Sequence, residues 1–164
     1  MTELPTEDGS PRHPGVHFPP PFLFVFPLGA GILLHQWLPL PLMAMRWKVV
    51  GVLAGWMLIG VWAGLSAWAV ALFLRQRTSM IPNRPATRLV TWGPYRFSRN
   101  PMYLALSLLH VGVSILVNTM WPLFFLPLTL GSLTYLVIHR EERYLSATFG
   151  AEYKLYRARV RRWL

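Results

Sequence analysis

The sequence predicts an all-helical integral membrane protein with about four transmembrane helices and further helices at the cytoplasmic surface near its C-terminus. Three observations lead there. Of 164 residues, 54% are hydrophobic, yet the formal net charge is +10, and a soluble domain of this size rarely combines the two. The apolar residues gather into four runs. The lysines and arginines fall between and beyond those runs, where a bilayer would leave them in water.

Residues 1–21 contain Glu3, Glu7, Asp8 and six prolines without apolar periodicity, the composition of a disordered tail. They lack the positive n-region and small-residue cleavage site of a signal peptide. The first apolar run, about Phe22 to Leu38, is short and carries Pro27, His35 and Gln36. The second, about Val49 to Leu74, would rise ~39 Å as a helix against a ~30 Å hydrocarbon core, so it should tilt or protrude. Within it Gly51 and Gly55, Gly60 and Gly64, then Ala63, Ala67 and Ala71 stand at helical spacing. Small residues let helix backbones approach closely; the expectation is packing within the chain, with dimerisation as the alternative. The third run extends from Pro101 to about Val117 and the fourth from about Trp121 to His139. Only Asn118, Thr119 and Met120 separate them, which predicts an antiparallel hairpin.

Charge sets the orientation. Arg12, six arginines between residues 75 and 99, and seven basic residues from Arg140 onward share one side; Arg46 and Lys48 face the other. Positive residues accumulate inside, so both termini and the long loop are expected in the cytoplasm, at the inner or plasma membrane. Beyond the fourth run the helix should continue through Glu141 to Phe149 and stop at Gly150 as a C-terminal cap. A last helix would then place Tyr153, Tyr156, Val160 and Trp163 on one face and its basic residues on the rest, an interfacial helix drawn to anionic lipid. Because the basic residues flank apolar spans instead of forming a face on a soluble fold, nucleic acid is not an expected partner.

The polar chemistry concentrates in two places. Thr91 to Tyr103 reads T-W-G-P-Y-R-F-S-R-N-P-M-Y: Gly93-Pro94 forces a turn, and Asn100-Pro101 is a strong helix start. Tyr95, Arg96, Arg99 and Tyr103 would stand at the positive end of a helix dipole, suited to an anionic or aromatic ligand. The loop from Arg75 to Asn100 is 26 residues, too long for a simple connector, and Trp92, Tyr95 and Phe97 argue that it is folded. Carboxylates are the second signal. Outside the tail there are only Glu141, Glu142 and Glu152. The hairpin should bring Glu141 and Glu142 beside Arg96, Arg99 and Asn100, either to relieve charge or to complete a ligand site. With no cysteine the chain can form no disulfide, thiolate metal site or cysteine nucleophile, and no metal site is expected. On the third run Tyr103, Ser107, His110 and Ser114 share a face that could meet a ligand from the lipid side. His110, near mid-membrane, is expected as a neutral packing histidine.

G-P-Y-R-F-S-R-N-P-M-Y, followed near the C-terminus by E-E-R-Y-L-S-A-T-F-G-A-E-Y-K-L-Y-R-A-R-V-R-R-W, resembles the isoprenylcysteine carboxyl methyltransferase family and its relatives, the phospholipid N-methyltransferases. The resemblance covers roughly Thr87 to Trp163. It implies a membrane enzyme that transfers a methyl group from S-adenosylmethionine to a lipophilic acceptor, with residues 22–164 as the enzyme and 87–164 as its cofactor-binding part. It further implies that Arg88, Leu89, Val90, Tyr95, Asn100, Pro101, Met102, Tyr103, Glu141 and Glu142 line the cofactor, with Arg99 and Glu141 catalytic. S-adenosylmethionine also suits the residues on their own terms, having a diol and ammonium for carboxylates, a carboxylate for arginine and an adenine for stacking. The family pattern commonly reads R-H-P-x-Y; here Asn100 replaces the histidine, so this position can hydrogen-bond but cannot act as a base. Rival readings are a non-catalytic membrane scaffold and a small transporter-like bundle, although no charged residue lies deep in any span.

Overall fold

A computed structural model describes residues 19–76 and 88–164. Residues 1–18 of the expected tail, and the part of the long loop at 77–87, lie outside the described residues; the end of that tail is corrected, because the first helix already begins at Pro20, where proline fits the first turn. Among the described residues every regular element is helical. Helix α1 is Pro20–Trp37, α2 Lys48–Gln76, α3 Pro101–Leu116, α4 Trp121–Leu133 and α5 His139–Arg159. The five residues Thr134–Ile138 between α4 and α5 form a π-helical turn, which joins the two helices without a break.

The apolar runs therefore fold as expected, with one difference in length. Two helices are long and apolar enough to cross a membrane, Met45–Arg75 and Trp121–Arg159. Only 11% of the most apolar window in the first is buried, so it is not the core helix of a soluble protein. Val49, Leu53, Trp56, Met57 and Leu74 are all exposed along it. α3, at 16 residues, rises only ~24 Å, less than a ~30 Å hydrocarbon core.

The described residues form two compact units. The first comprises residues 19–67 and 102–133. α3 and α4 make the expected hairpin. Its turn needs a left-handed residue, and Asn118 supplies it at φ 55, a conformation Asn tolerates better than most residues. The Asn118 side chain also brackets the segment before α2, accepting from the Met43 N–H at 2.9 Å and donating to the Met43 carbonyl at 3.2 Å. The Trp121 indole donates to the Leu38 carbonyl at 2.7 Å, closing the same end.

The polar face of α3 turns inward. His110 and Ser114 are buried; the His110 Nε2–H donates to the Pro122 carbonyl at 2.9 Å, and its ring meets Phe24 edge-on. Ser107 and Ser114 donate to the carbonyls of Tyr103 and His110 on their own helix. This is the packing role expected of His110. Tyr103 and Ser107, nearer the start of the helix, are half-buried.

The glycine spacing of α2 divides in two. A Cβ on Gly55 would come within 2.7 Å of Leu116 and 3.0 Å of the Gly112 carbonyl, so α2 and α3 cross there nearly backbone to backbone. Nothing lies within 4 Å of the equivalent position on Gly60 or Gly64. Gly55→Ala should therefore destabilise by about 1–3 kcal/mol through overpacking. Gly60→Ala should stabilise by up to about 1 kcal/mol, because alanine is the better helix former. Thermal midpoints of the two variants in one detergent check the pair; a Gly55→Ala midpoint at or above wild type contradicts the crossing.

Candidate functional site

The second compact unit holds residues 68–76, 88–101 and 134–164, and with them most of the polar chemistry. Its corner is built by the turn the sequence predicts. Gly93 takes φ 64, and Gly93–Arg96 forms a single 3-10 turn with Pro94 at its start. The positive φ favours glycine, and a side chain there would also have to displace the end of Leu72, 2.5 Å away. The turn buries Pro94 and Tyr95 and leaves Arg96 and Phe97 exposed. The Tyr95 ring meets Phe73 edge-on, centroids 5.7 Å apart.

Opposite the corner, α5 is bent. Gly150 has φ 48 and ψ −115, which no helix contains, so the expected stop at Gly150 appears as a kink after which the helix resumes. Beyond the kink Tyr153 and Tyr156 are buried. The Tyr156 hydroxyl donates to the Tyr95 carbonyl at 2.8 Å, and Tyr153 accepts from Arg99 Nη1 at 3.3 Å. The last helix is thus shorter than expected and does not include Val160 or Trp163. The helix ends at Arg159, Val160 is extended at φ −119 and ψ 129, and Tyr153 and Tyr156 pack on the corner. The physical reason is that the two hydroxyls find polar partners at the corner.

The arginines and glutamates meet as the hairpin argument expects, but unequally. Glu142 Oε1 lies 2.8 Å from Arg99 Nη1, and both carboxylate oxygens accept from Arg162, at 3.0 Å from Nε and 2.8 Å from Nη2. Burial disfavours the charged form of Glu142; the Arg162 hydrogen bond and the charges of Arg99, Arg162 and Arg157 outweigh it and hold the pKa below 4.5. Glu141 is half-buried, and its charge reaches Tyr95: burial first, then Tyr156 and Glu141, push that phenol well above its ordinary value. Burial likewise raises Tyr153 and Tyr156, so all three phenols stay protonated at neutral pH. Arg99 is nine-tenths buried, and its Nε–H has no hydrogen-bond partner within the described residues.

The remaining expected residues are placed as follows. Val90, Asn100 and Pro101 are buried, Leu89 is half-buried and Arg88 exposed. Met102 and Tyr103 are half-buried in the first turn of α3 and belong to the other compact unit. The Asn100 amide nitrogen donates to the Arg162 carbonyl at 3.0 Å, and its backbone N–H to Ser98 Oγ at 3.1 Å. Sequence reasoning missed Arg162, Tyr153, Tyr156 and Ser98. The two tyrosines were visible as an aromatic face, but an amphipathic pattern does not say whether lipid or protein will cover it. Among the described residues no cluster of histidine and acidic side chains could hold a metal ion.

A small helical protein with a two-signed, tyrosine-walled corner ahead of a helix start is thus defined, and comparison with known proteins places it among methyltransferases. The phospholipid methyltransferase family pattern matches residues 48–152, and the chain belongs to that family, which is related to the isoprenylcysteine carboxyl methyltransferases. The matched stretch contains every site residue expected from the sequence and stops just short of Tyr153. No curated protein and no solved structure matches the chain significantly.

Proposed function

We propose that this chain is a membrane-embedded, S-adenosylmethionine-dependent methyltransferase acting on a lipophilic or small membrane-accessible acceptor that offers a carboxylate, thiol or amine. The observation that carries this reading, within a methyltransferase family, is Arg99. Its guanidinium is fixed on one side by Glu142 and Tyr153, while the buried Nε–H has no acceptor among the described residues. A buried donor without a partner costs about 1–3 kcal/mol, and an anionic ligand group would relieve that cost.

The residues present fit the cofactor. Arg99 would take its carboxylate, Glu141 its ammonium or ribose hydroxyls, and Tyr95 with Arg88, Leu89 and Val90 would wall the adenosyl part. Asn100 and Pro101, at the helix start, would complete this side of the site. When bound, S-adenosylmethionine supplies an already activated methyl group, so the protein's task is placement, which can supply ~7–11 kcal/mol of a barrier. Asn100 cannot take a proton, and all three buried phenols hold theirs; a carboxylate or thiolate acceptor needs no base from the chain.

Membrane embedding rests on the exposed apolar face of α2 and on the length of the Trp121–Arg159 helix. A four-span arrangement requires α1 and α3 to cross as well, the latter with local thinning of the bilayer. The distribution of arginines puts both termini and the corner on the cytoplasmic side.

Titration calorimetry with S-adenosylhomocysteine on detergent-purified protein tests the reading. Saturable binding is expected, reduced at least about tenfold by Glu141→Ala, because one charge-assisted pairing is worth ~1.5–3 kcal/mol. Absence of any binding heat from the intact protein favours the scaffold reading and sinks this one. Transfer of labelled methyl groups into fractionated membrane extract would then identify the acceptor class.

A further inference from the structure

Residues 160–164 follow the end of α5 at Arg159. The helix gives way at Val160, which is extended, and the segment after it is tied across the corner through Arg161 and Arg162. Three consecutive corner residues donate to their carbonyls: Arg99 N–H to Arg161 at 3.0 Å, Ser98 Oγ to Arg162 at 3.2 Å and Asn100 Nδ2 to Arg162 at 3.0 Å. The Arg162 side chain then grips both oxygens of Glu142, one of which also holds Arg99. The backbone and the guanidinium of Arg99 are therefore both set by one short segment.

We propose that residues 160–164 are a strap that pre-organises the methyl-donor site, with Arg162 and Glu142 as positioning residues that orient Arg99. The inference rests on the donor reading of the corner given above and assigns its geometry to residues beyond the family match, which ends at residue 152. It also separates the two glutamates. Glu142 has both oxygens engaged by arginines and acts through Arg99, while Glu141 keeps the ligand role proposed above.

The geometry makes the strap a device of affinity. With Arg162 in place, Arg99 keeps one orientation before ligand arrives, so binding does not have to order it. Without Arg162, Glu142 retains only the single contact to Arg99 Nη1, and Arg99 gains rotational freedom. The Ser98, Arg99 and Asn100 donors would turn to water if the strap backbone were lost.

The test compares the intact protein with Arg162→Ala, Arg162→Lys and a chain ending at Arg159, all in the same detergent. Two quantities are measured: affinity for S-adenosylhomocysteine by calorimetry, and amide hydrogen exchange over residues 95–103 without ligand. Arg162→Ala should weaken binding by about tenfold or more and speed exchange locally, with exchange in α1 and α4 unchanged. Arg162→Lys, which keeps the charge but not the two-point grip, should recover part of the affinity. The shortened chain should lose the protection of the Arg99 amide, whose acceptor is the Arg161 carbonyl. Affinities within about twofold of the intact protein for both Arg162→Ala and the shortened chain overturn the strap, since each unit of free energy at an ordered arginine should register. Failure of the intact protein to bind at all overturns the donor reading instead, so the two failures are told apart by the wild-type titration alone.

Discussion

Replacing Glu142 by alanine should lower the stability of the protein by about 3 kcal/mol, toward the low end of the range for breaking one side of a buried ion pair. The size follows from what is left behind. Arg99, with its side chain 10% exposed, loses its carboxylate partner, and Arg162, 31% exposed, loses both of its hydrogen bonds to that carboxylate. Arg162 can turn toward water, which keeps the estimate at the low end; Arg99 cannot. The effect must also depend on pH with a definite sign. The Glu142 pKa is depressed in the folded protein, so its contribution is fully present above the ordinary value near 4.5 and disappears as pH falls through the lower folded value. Glu142→Gln, which preserves shape and removes charge, should therefore be much less stable than wild type at neutral pH. The two should converge under acid conditions. Denaturant unfolding in detergent across that pH range measures the difference, and a gap that stays constant with pH would mean that Glu142 does not carry the charge of this cluster.

Much of this was legible in the sequence because it depended on local or categorical signals. Helix limits followed apolar runs bounded by proline and charge, and α2 and α3 begin and end within two residues of expectation. The meeting of Glu142 with Arg99 was inferable from scarcity alone: with so few acids, a hairpin connecting the two segments left little choice. Three features escaped. The π-helical turn at Thr134–Ile138 has an ordinary apolar sequence and no residue that marks it. The division of labour between Glu141 and Glu142 depends on rotation about a helix axis, where adjacent residues differ by about 100°, and the turn just upstream makes that rotation unreadable from spacing. The strap was read as the tail of an amphipathic helix, because a Tyr-Arg pattern with a period near four is the same whether its apolar side meets lipid or folds back on protein. What ended the helix at Arg159 is the set of donors on Ser98, Arg99 and Asn100, sixty residues away in the chain and invisible to any local window.

The kink at Gly150 gives the second large effect. Gly150→Val should destabilise the protein by about 3 kcal/mol, at the upper end of the strain stored in a disallowed backbone conformation. Two explanations for such a loss can be separated in advance. Crowding is excluded, since nothing lies within 4 Å of a Cβ built on Gly150. Helix propensity is too small, because valine in an exposed helix interior costs well under about 1 kcal/mol relative to good formers. What remains is the backbone. A φ of 48 with ψ of −115 lies outside even the left-handed basin that asparagine tolerates, so Gly150→Asn should not rescue. The chain could instead escape strain by straightening α5. That would sacrifice the Tyr156–Tyr95 and Tyr153–Arg99 bonds together with the Arg162–Glu142 grip, and hydrogen bonds at ~0.5–1.5 kcal/mol each plus a buried ion pair exceed the strain. The kink should therefore persist, with a lowered melting point and exchange over residues 95–103 close to wild type at low temperature. Gly131→Val is the matched control. It too has open space around its Cβ position but lies in regular helix, so it should cost only a fraction as much. Equal midpoints for the two valine variants would show that position 150 carries no strain that glycine alone relieves.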